Sequence, residues 1–217
     1  ESKWVLTEWY KIITNSLKYW GIQEPWAKAD KFSGRVYHSL SQEYKTMLHD
    51  QGFVSIDAHA CHVHLLLEDA ERQGFIDEKM RNIIDSKKDF YQYLVDNFVD
   101  KEGKPRYKNR QKAKDAWQIM LYNKGTMRTS LKYIFPEFYE YLTFNKDPED
   151  EYFSRRMQRM DRVLFIDNIL VKLYNEYKMD FIIPIHDSVI VHKDYQQDVL
   201  KFLNKQYPNY KFKVEEL

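Results

Sequence analysis

The sequence predicts an α+β protein in which an antiparallel sheet packs on helices. Apolar runs typical of strands occur at residues 53–57, 181–185 and 189–191, and apolar residues recur at helical spacing through most of the remaining chain. Most of the six glycines end such periodic segments, and none forms a GxGxxG or GxxxxGK[ST] pattern, so Rossmann and Walker nucleotide folds have no support. With 43% hydrophobic residues, the 217-residue chain can form one large domain or two small ones.

Helices are predicted before, between and after these strands. Their limits come from apolar periodicity and from the residues that end it. The predicted helices cover residues 4–20, 42–50, 60–72, 78–98, 105–122, an aromatic segment after Gly125, 152–177 and 195–206. A tight β-hairpin is predicted where polar residues 186–188 separate two apolar runs, and an edge strand is predicted at 210–214.

Charge is balanced over the whole chain but concentrated locally. The chain has 34 Lys and Arg against 33 Asp and Glu, so nucleic-acid affinity would have to come from a patch. Residues 101–114 hold seven basic residues and one acid. A second basic cluster on the predicted helix 152–177 is expected to face a phosphate backbone, and it consists of Arg155, Arg156, Arg159 and Arg162.

Cys61 is the single cysteine, which excludes an internal disulfide and favours a reducing compartment. No apolar run is long enough to span a membrane. We therefore expect a protein of the cytoplasm, or of the host cytoplasm if a phage encodes it, with no membrane partner.

Asp57 and Asp187 each follow an apolar strand. If both strands belong to one sheet, the two carboxylates can converge, and acids held together in a half-buried place need a compensating cation. A two-metal magnesium site of the kind used in phosphoryl transfer is one interpretation. The other is that Asp57 caps the following helix and Asp187 is a turn residue.

Arg110, Lys114, Gln118 and Tyr122 are spaced by four residues, so they line one face of a predicted helix. Two cations one turn apart suit the phosphates of a nucleoside triphosphate, and an aromatic ring further along offers a platform for a base. The alternative is a solvated basic face without a ligand.

Four segments together resemble the motifs of family A DNA polymerases and of the related single-subunit phage and mitochondrial RNA polymerases. In chain order they are SGRVY at 33–37, VSID at 54–57 (motif A), Arg110-x3-Lys114-x7-Tyr122 (motif B) and IHDS at 185–188 (motif C). Their order and spacing fit that family, and the resemblance runs from about Gly34 to the end of the chain. The GRVY form leans toward the RNA polymerases.

The resemblance implies a role for each matching residue. Asp57 and Asp187 would bind two Mg²⁺ ions, with the Ala58 carbonyl as a further ligand. Arg110 and Lys114 would hold the triphosphate, and Lys114 would protonate the leaving pyrophosphate. The other implied contacts are those of Gln118, Tyr122 and His62 with the incoming nucleotide and those of Arg35, Gln158 and His186 with the nucleic acid. Arg155 and Arg159 are added to the nucleic-acid contacts because they belong to the basic cluster on the same predicted helix as Gln158.

The resemblance also implies a polymerase-like palm with a compact helical fingers subdomain. Residues 1–33 would form an N-terminal helical segment, 34–77 and 151–217 the palm, and 78–150 reduced fingers with motif B. Two departures stand out: Asn123 follows Tyr122 where the family has Gly, and Ser188 follows Asp187 as in the RNA polymerases. A complete thumb does not fit before Gly34, so we expect a separate thumb, processivity or helicase/primase partner.

The function implied is template-directed nucleotidyl transfer. The preferred interpretation is a compact DNA polymerase that acts in replication, of a kind that a phage or mobile element would encode. Its partners would be a primer-template and nucleoside triphosphates. His62, at the position that discriminates the sugar in this family, leaves the choice of deoxy- or ribonucleotide open. The alternatives are an RNA polymerase or primase-like enzyme and a non-catalytic nucleic-acid-binding accessory module.

A third alternative is a zinc-dependent hydrolase. This alternative is suggested by a cluster of histidine and cysteine side chains, which are common zinc ligands: His59, Cys61, His62 and His64. No CxxC or HExxH pattern accompanies them, and on a helix they do not all share one face.

Overall fold

A computed structural model describes residues 27–29, 34–36, 42–100, 102–122, 131–145, 152–179, 182–185 and 187–217. These residues form helices and antiparallel sheet, so the predicted α+β class is confirmed. Two predicted features lie outside the described residues: the helix at 4–20 and the helix break at Gly125. In the described ranges no helix is both long and apolar enough to cross a membrane.

The described strands form two antiparallel sheets. The smaller sheet consists of β1 (Ala27–Ala29) and β2 (Gly34–Val36). The larger sheet has the spatial order β4-β5-β3-β6 and consists of β3 (Phe53–Ala58), β4 (Ile183–Ile185), β5 (Ser188–His192) and β6 (Phe212–Glu216). The predicted strand after Gly52, the hairpin and the C-terminal edge strand are thus confirmed, the last of them two residues further along than predicted.

The described helices agree with most of the predicted ones. They are α1 (Gln42–Asp50), α2 (Cys61–Arg72), α3 (Glu78–Asp85), α4 (Phe90–Asn97), α5 (Arg110–Tyr122), α6 (Leu131–Ile134), α7 (Pro136–Asn145), α8 (Tyr152–Arg162), α9 (Val171–Tyr177) and α10 (Gln196–Gln206). A π-helical segment, Val163–Leu170, joins α8 to α9, so the predicted helix at 152–177 is continuous. A 3₁₀ turn, Lys193–Tyr195, leads into α10.

The single helix predicted at 78–98 is wrong in its middle, where the chain turns between α3 and α4. Lys87 has a left-handed backbone, with φ of 55°, and a helix cannot continue through that conformation. Asp89 then begins α4 as its N-cap, because its side chain accepts a hydrogen bond from the Gln92 N–H at 3.0 Å. The turn contains no glycine, which is why periodicity alone did not reveal it.

The described part of the chain divides into two compact units, one up to Cys61 and from Gln158 to Leu217, the other at His62–Met157. In the first unit, Ile56 and Ala58 of β3 are fully buried while Asp57 between them is half-buried, and β5 is buried continuously from Ser188 to Val191. The functional division predicted at residues 34–77, 78–150 and 151–217 stays a prediction.

The core of the second unit is largely aromatic. The Phe90 and Trp117 rings meet edge to face with centroids 4.8 Å apart, and Trp117 stacks on Phe138 at 5.8 Å. Phe135 and Tyr141 complete this cluster and are fully buried. Buried rings contribute both area and specific contacts, so this cluster fixes α4, α5 and α7 against one another.

Asp77 is a buried carboxylate that binds the starts of two helices. Its Oδ1 accepts from the Met80 N–H at 2.9 Å and its Oδ2 accepts from the Phe138 N–H at 3.3 Å. We expect Asp77→Ala to lower the free energy of unfolding of this unit by about 2–3 kcal/mol, because it removes two caps and leaves buried donors unpaired. Urea denaturation followed by circular dichroism measures this, with exposed Asp96→Ala as the matched control.

The pH dependence of Asp77 has a definite sign. Burial raises the pKa of this carboxyl above its ordinary value of 3.8, although its backbone hydrogen bonds oppose the shift. The folded state therefore keeps the proton at a pH where the unfolded chain has lost it. The part of the stability that depends on this proton is complete below pH 3.8 and is lost as the pH rises through the folded pKa, whereas the ionised carboxylate still accepts its two backbone hydrogen bonds. If the free energy of unfolding of the wild type depended on pH in the same way as that of Asp77→Asn, this prediction would be contradicted.

Candidate functional site

Asp57 and Asp187 occupy adjacent positions at one end of the larger sheet. In the antiparallel pair of β3 and β5, Asp57 lies opposite Ser188, and the Ala58 N–H donates to the Asp187 carbonyl oxygen at 2.9 Å. Both aspartates belong to the first compact unit and both are half-buried. The expectation that their two strands belong to one sheet is confirmed.

Local hydrogen bonds hold Asp187 in the turn of the hairpin. The Ser188 hydroxyl donates to the Ile185 carbonyl oxygen at 2.8 Å, across the turn between β4 and β5. Ser188 is only 8% exposed, so this bond is largely shielded from water. Ser188 therefore stabilises the turn, and the turn keeps Asp187 at the end of the hairpin.

Lys213 lies beside Asp57 and was not identified from the sequence. It pairs with Asp57 across β3 and β6, and its Nζ is 3.9 Å from Asp57 Oδ2. The Lys213 ammonium also forms an ion pair with Glu215 on the same strand. The sequence predicted the edge strand but carried no signal for its register, because that register joins residues more than 150 positions apart.

The chemistry of the acidic pair fits a hard cation such as Mg²⁺. Carboxylate oxygens are its usual protein ligands, and it commonly retains waters and takes further oxygens from a bound phosphate. Among the described residues there is no group of three or more His, Cys, Asp or Glu that could hold a metal by itself. Ala58 is fully buried, and its role as a carbonyl ligand stays a prediction.

The zinc alternative gains no support from the described residues. They include His59, Cys61, His62 and His64, which belong to no group of metal-binding side chains. Cys61 and His64 are buried, while His59 and His62 are half-buried. The described residues therefore supply no group of three such side chains, which is the protein ligand set usual in a catalytic zinc site.

The predicted nucleotide-binding helix is α5, in the second compact unit. Its residues Arg110, Lys114 and Gln118 are half-buried beside the face that packs around Trp117. Tyr122 ends the helix, and its side chain lies outside the described part. The helical geometry on which the four-residue spacing depends is therefore present.

Arg110 already has protein partners. Its Nε donates to Asp89 Oδ2 at 2.5 Å, and its guanidinium lies over the Tyr91 ring, 5.4 Å from the centroid. Asp89 is also the N-cap of α4, so one carboxylate links the starts of two helices. A phosphate at Arg110 would have to share or replace this ion pair, whereas among the described residues Lys114 forms no salt bridge.

The remaining candidate residues are scattered over both units. Gln158 is half-buried and Arg159 is exposed on α8, while His62 is half-buried near the start of α2. Arg35 lies in β2 and Arg155 in α8, but their side chains lie outside the described part, as does all of His186. Exposed basic residues before and on α5 are Lys104, Arg106, Lys108 and Lys112.

The predicted basic cluster on helix 152–177 is wrong for Arg162, which is buried, while Arg156 is engaged by protein partners but has a side chain that is 40% exposed. Arg156 donates to Asp69 and to Asn145 within the second unit. Arg162 is 5% exposed and pairs with Asp167 at 2.9 Å. Arg162 and Asp167 are five residues apart. A π-helix brings residues at this spacing onto the same side, so the two side chains can form the ion pair.

No protein-family model matches this chain, and no match is found among curated proteins. The function of the site is therefore inferred from its own residues and their arrangement.

Proposed function

We propose that this chain is a template-directed nucleotidyltransferase that adds deoxynucleotides to the 3′-hydroxyl of a primer. The observation that carries the proposal is the antiparallel register in which Asp57 lies opposite Ser188, next to Asp187. Two adjacent half-buried acids repel each other unless a cation compensates them. The sequence resemblance to family A DNA polymerases and single-subunit RNA polymerases supports the same function.

The acidic pair supplies the cation-binding part of this function. Asp57 and Asp187 hold two magnesium ions, and their adjacent backbone positions keep both carboxylates at one end of the sheet. When bound, such ions activate the attacking oxygen and neutralise charge on the leaving one. The primer hydroxyl forms a bond to the α-phosphorus as the bond to pyrophosphate breaks.

Helix α5 supplies the triphosphate-binding part. Triphosphate binding depends mainly on Lys114, because Arg110 forms an ion pair with Asp89. The Lys114 ammonium binds phosphate oxygens and donates a proton to the pyrophosphate as it leaves. Gln118 and Tyr122 contact the nucleotide further along the helix, and the exposed lysines near residues 104–112 bind the nucleic-acid backbone.

RNA synthesis or priming by the same chemistry is the second candidate. It is favoured by Ser188, since the resembling RNA polymerases have the same residue after the second aspartate, and by Arg35 within the GRVY segment. An imidazole at His62 can crowd a ribose hydroxyl or bind it, so this residue supports neither sugar over the other.

Extension of a labelled primer tests the proposal. DNA and RNA templates are each supplied with deoxynucleotides or ribonucleotides and Mg²⁺, and products are resolved at single-nucleotide length. We expect extension on a DNA template with deoxynucleotides. Extension with ribonucleotides only would establish the second candidate. Absence of extension in all four combinations, with retained binding of the primer-template, would instead indicate the non-catalytic accessory module.

A further inference from the structure

Lys213 lies between two carboxylates on the face of the sheet that bears Asp57. Residues opposite each other in an antiparallel pair share a face, as do residues two apart on one strand. Asp57 pairs with Lys213 and Ser55 pairs with Glu215, so these side chains form one polar group across β3 and β6. The Lys213 ammonium contacts Glu215 and lies 3.9 Å from Asp57 Oδ2.

We infer that Lys213 competes with divalent cations for Asp57 and that Glu215 holds the ammonium when a cation takes its place. This inference rests on the proposed function, which assigns Asp57 to the metal ions. It adds a residue that no polymerase motif in the sequence includes. Lys213 is then a positioning residue that sets how tightly the unliganded protein binds metal.

The charges and exposure support this exchange. The Lys213 side chain is 45% exposed and that of Asp57 is 24% exposed, so the lysine end of the pair can move through water while the aspartate stays in the sheet. The ammonium is a compact charge on a flexible stem, and moving it requires no change in the backbone. A doubly charged ion placed at Asp57 would be repelled by an ammonium only 3.9 Å from the same carboxylate.

The competition makes metal binding depend on the nucleotide. Without a triphosphate, Lys213 neutralises Asp57 and weakens its attraction for a divalent cation. A bound triphosphate brings negative charge and oxygen ligands that favour the metal over the ammonium. The protein therefore binds its ions tightly when a substrate is present and weakly when it is absent.

Direct measurement of Mn²⁺ binding tests the inference without relying on activity. The loss of the free Mn²⁺ electron paramagnetic resonance signal is titrated at low ionic strength, with no nucleotide, for the wild type and for Lys213→Gln. We expect Lys213→Gln to bind Mn²⁺ about fivefold to tenfold more tightly, with the difference decreasing as salt is added. Lys213→Arg keeps the positive charge and is expected to bind as weakly as the wild type.

Lys201→Gln is the matched control, because it changes the net charge equally at an exposed position of α10. An equal gain in this variant, or no gain in Lys213→Gln, would overturn the inference while leaving the proposed function standing. Repeating the titration with a non-hydrolysable triphosphate distinguishes failure of the Lys213 competition from failure of the proposed function. If the wild type with the triphosphate removes no more free Mn²⁺ than the same triphosphate without protein, the metal site and the proposed function both fail.

Discussion

Asp57→Asn and Asp187→Asn are each expected to lower the rate of primer extension by about 10²- to 10³-fold, which corresponds to the several kcal/mol of charge stabilisation that bound metal ions provide. The amide that replaces each carboxylate keeps its size but loses the negative charge. Because both residues lie at half-buried positions of one sheet end, the folded structure is expected to persist.

Single-turnover extension of a labelled primer measures this loss, and circular dichroism confirms that the variants are folded. Asp198→Asn is the control, since it removes one exposed carboxylate from α10 in the same compact unit. Its rate should remain within about twofold of the wild type, as is usual for exposed sites. Near-normal extension by either Asp57→Asn or Asp187→Asn would exclude that residue from the catalytic site.

Asp69→Ala is expected to lower the free energy of unfolding of the second unit by about 2–4 kcal/mol, the order expected when several buried hydrogen bonds to one carboxylate are lost. Asp69 is 7% exposed, and its Oδ2 accepts from the Tyr141 hydroxyl at 2.6 Å and from Gln73 at 2.9 Å. The same oxygen is 2.8 Å from Arg156 Nη2. Removing the carboxylate leaves the buried Tyr141 hydroxyl unpaired and takes one of two partners from Arg156, whose side chain is 40% exposed and keeps its hydrogen bond to Asn145.

The Tyr141 hydroxyl remains a donor in this network. Burial, together with the hydrogen bond to Asp69, raises the pKa of the Tyr141 hydroxyl well above its ordinary value of 10.0. Tyr141→Phe should therefore destabilise less than Asp69→Ala, because the carboxylate keeps its other partners. Urea unfolding of both single variants and the double variant measures their coupling, with exposed Glu140→Ala as the control. A loss below about 1 kcal/mol for Asp69→Ala would show that the network is not stabilising.

The parts of the fold that local patterns determine were predictable from the sequence. The strand that ends at Ala58, the helix that follows it and the hairpin around Asp187 all have the periodicity and turn residues that define them. The two aspartates could be assigned to one sheet because each follows an apolar run. Their pairing in the structure agrees with that expectation.

The features that long-range packing determines were not predictable. Lys213 comes beside Asp57 through the register of strands distant in sequence, and nothing local fixes that register. Arg156 has the sequence context of an exposed basic residue, yet Asp69, 87 positions away, binds it inside the second unit. The turn at Lys87 was missed because its left-handed residue is not a glycine.

A double-mutant cycle on single-turnover extension shows whether Asp57 and Asp187 form one catalytic metal site. Residues that act as a unit give grossly non-additive losses. We expect the Asp57→Asn/Asp187→Asn double variant to be no slower than the slower single variant, within about threefold. Losses that multiply in the double variant would show that the two carboxylates act independently and would contradict the claim.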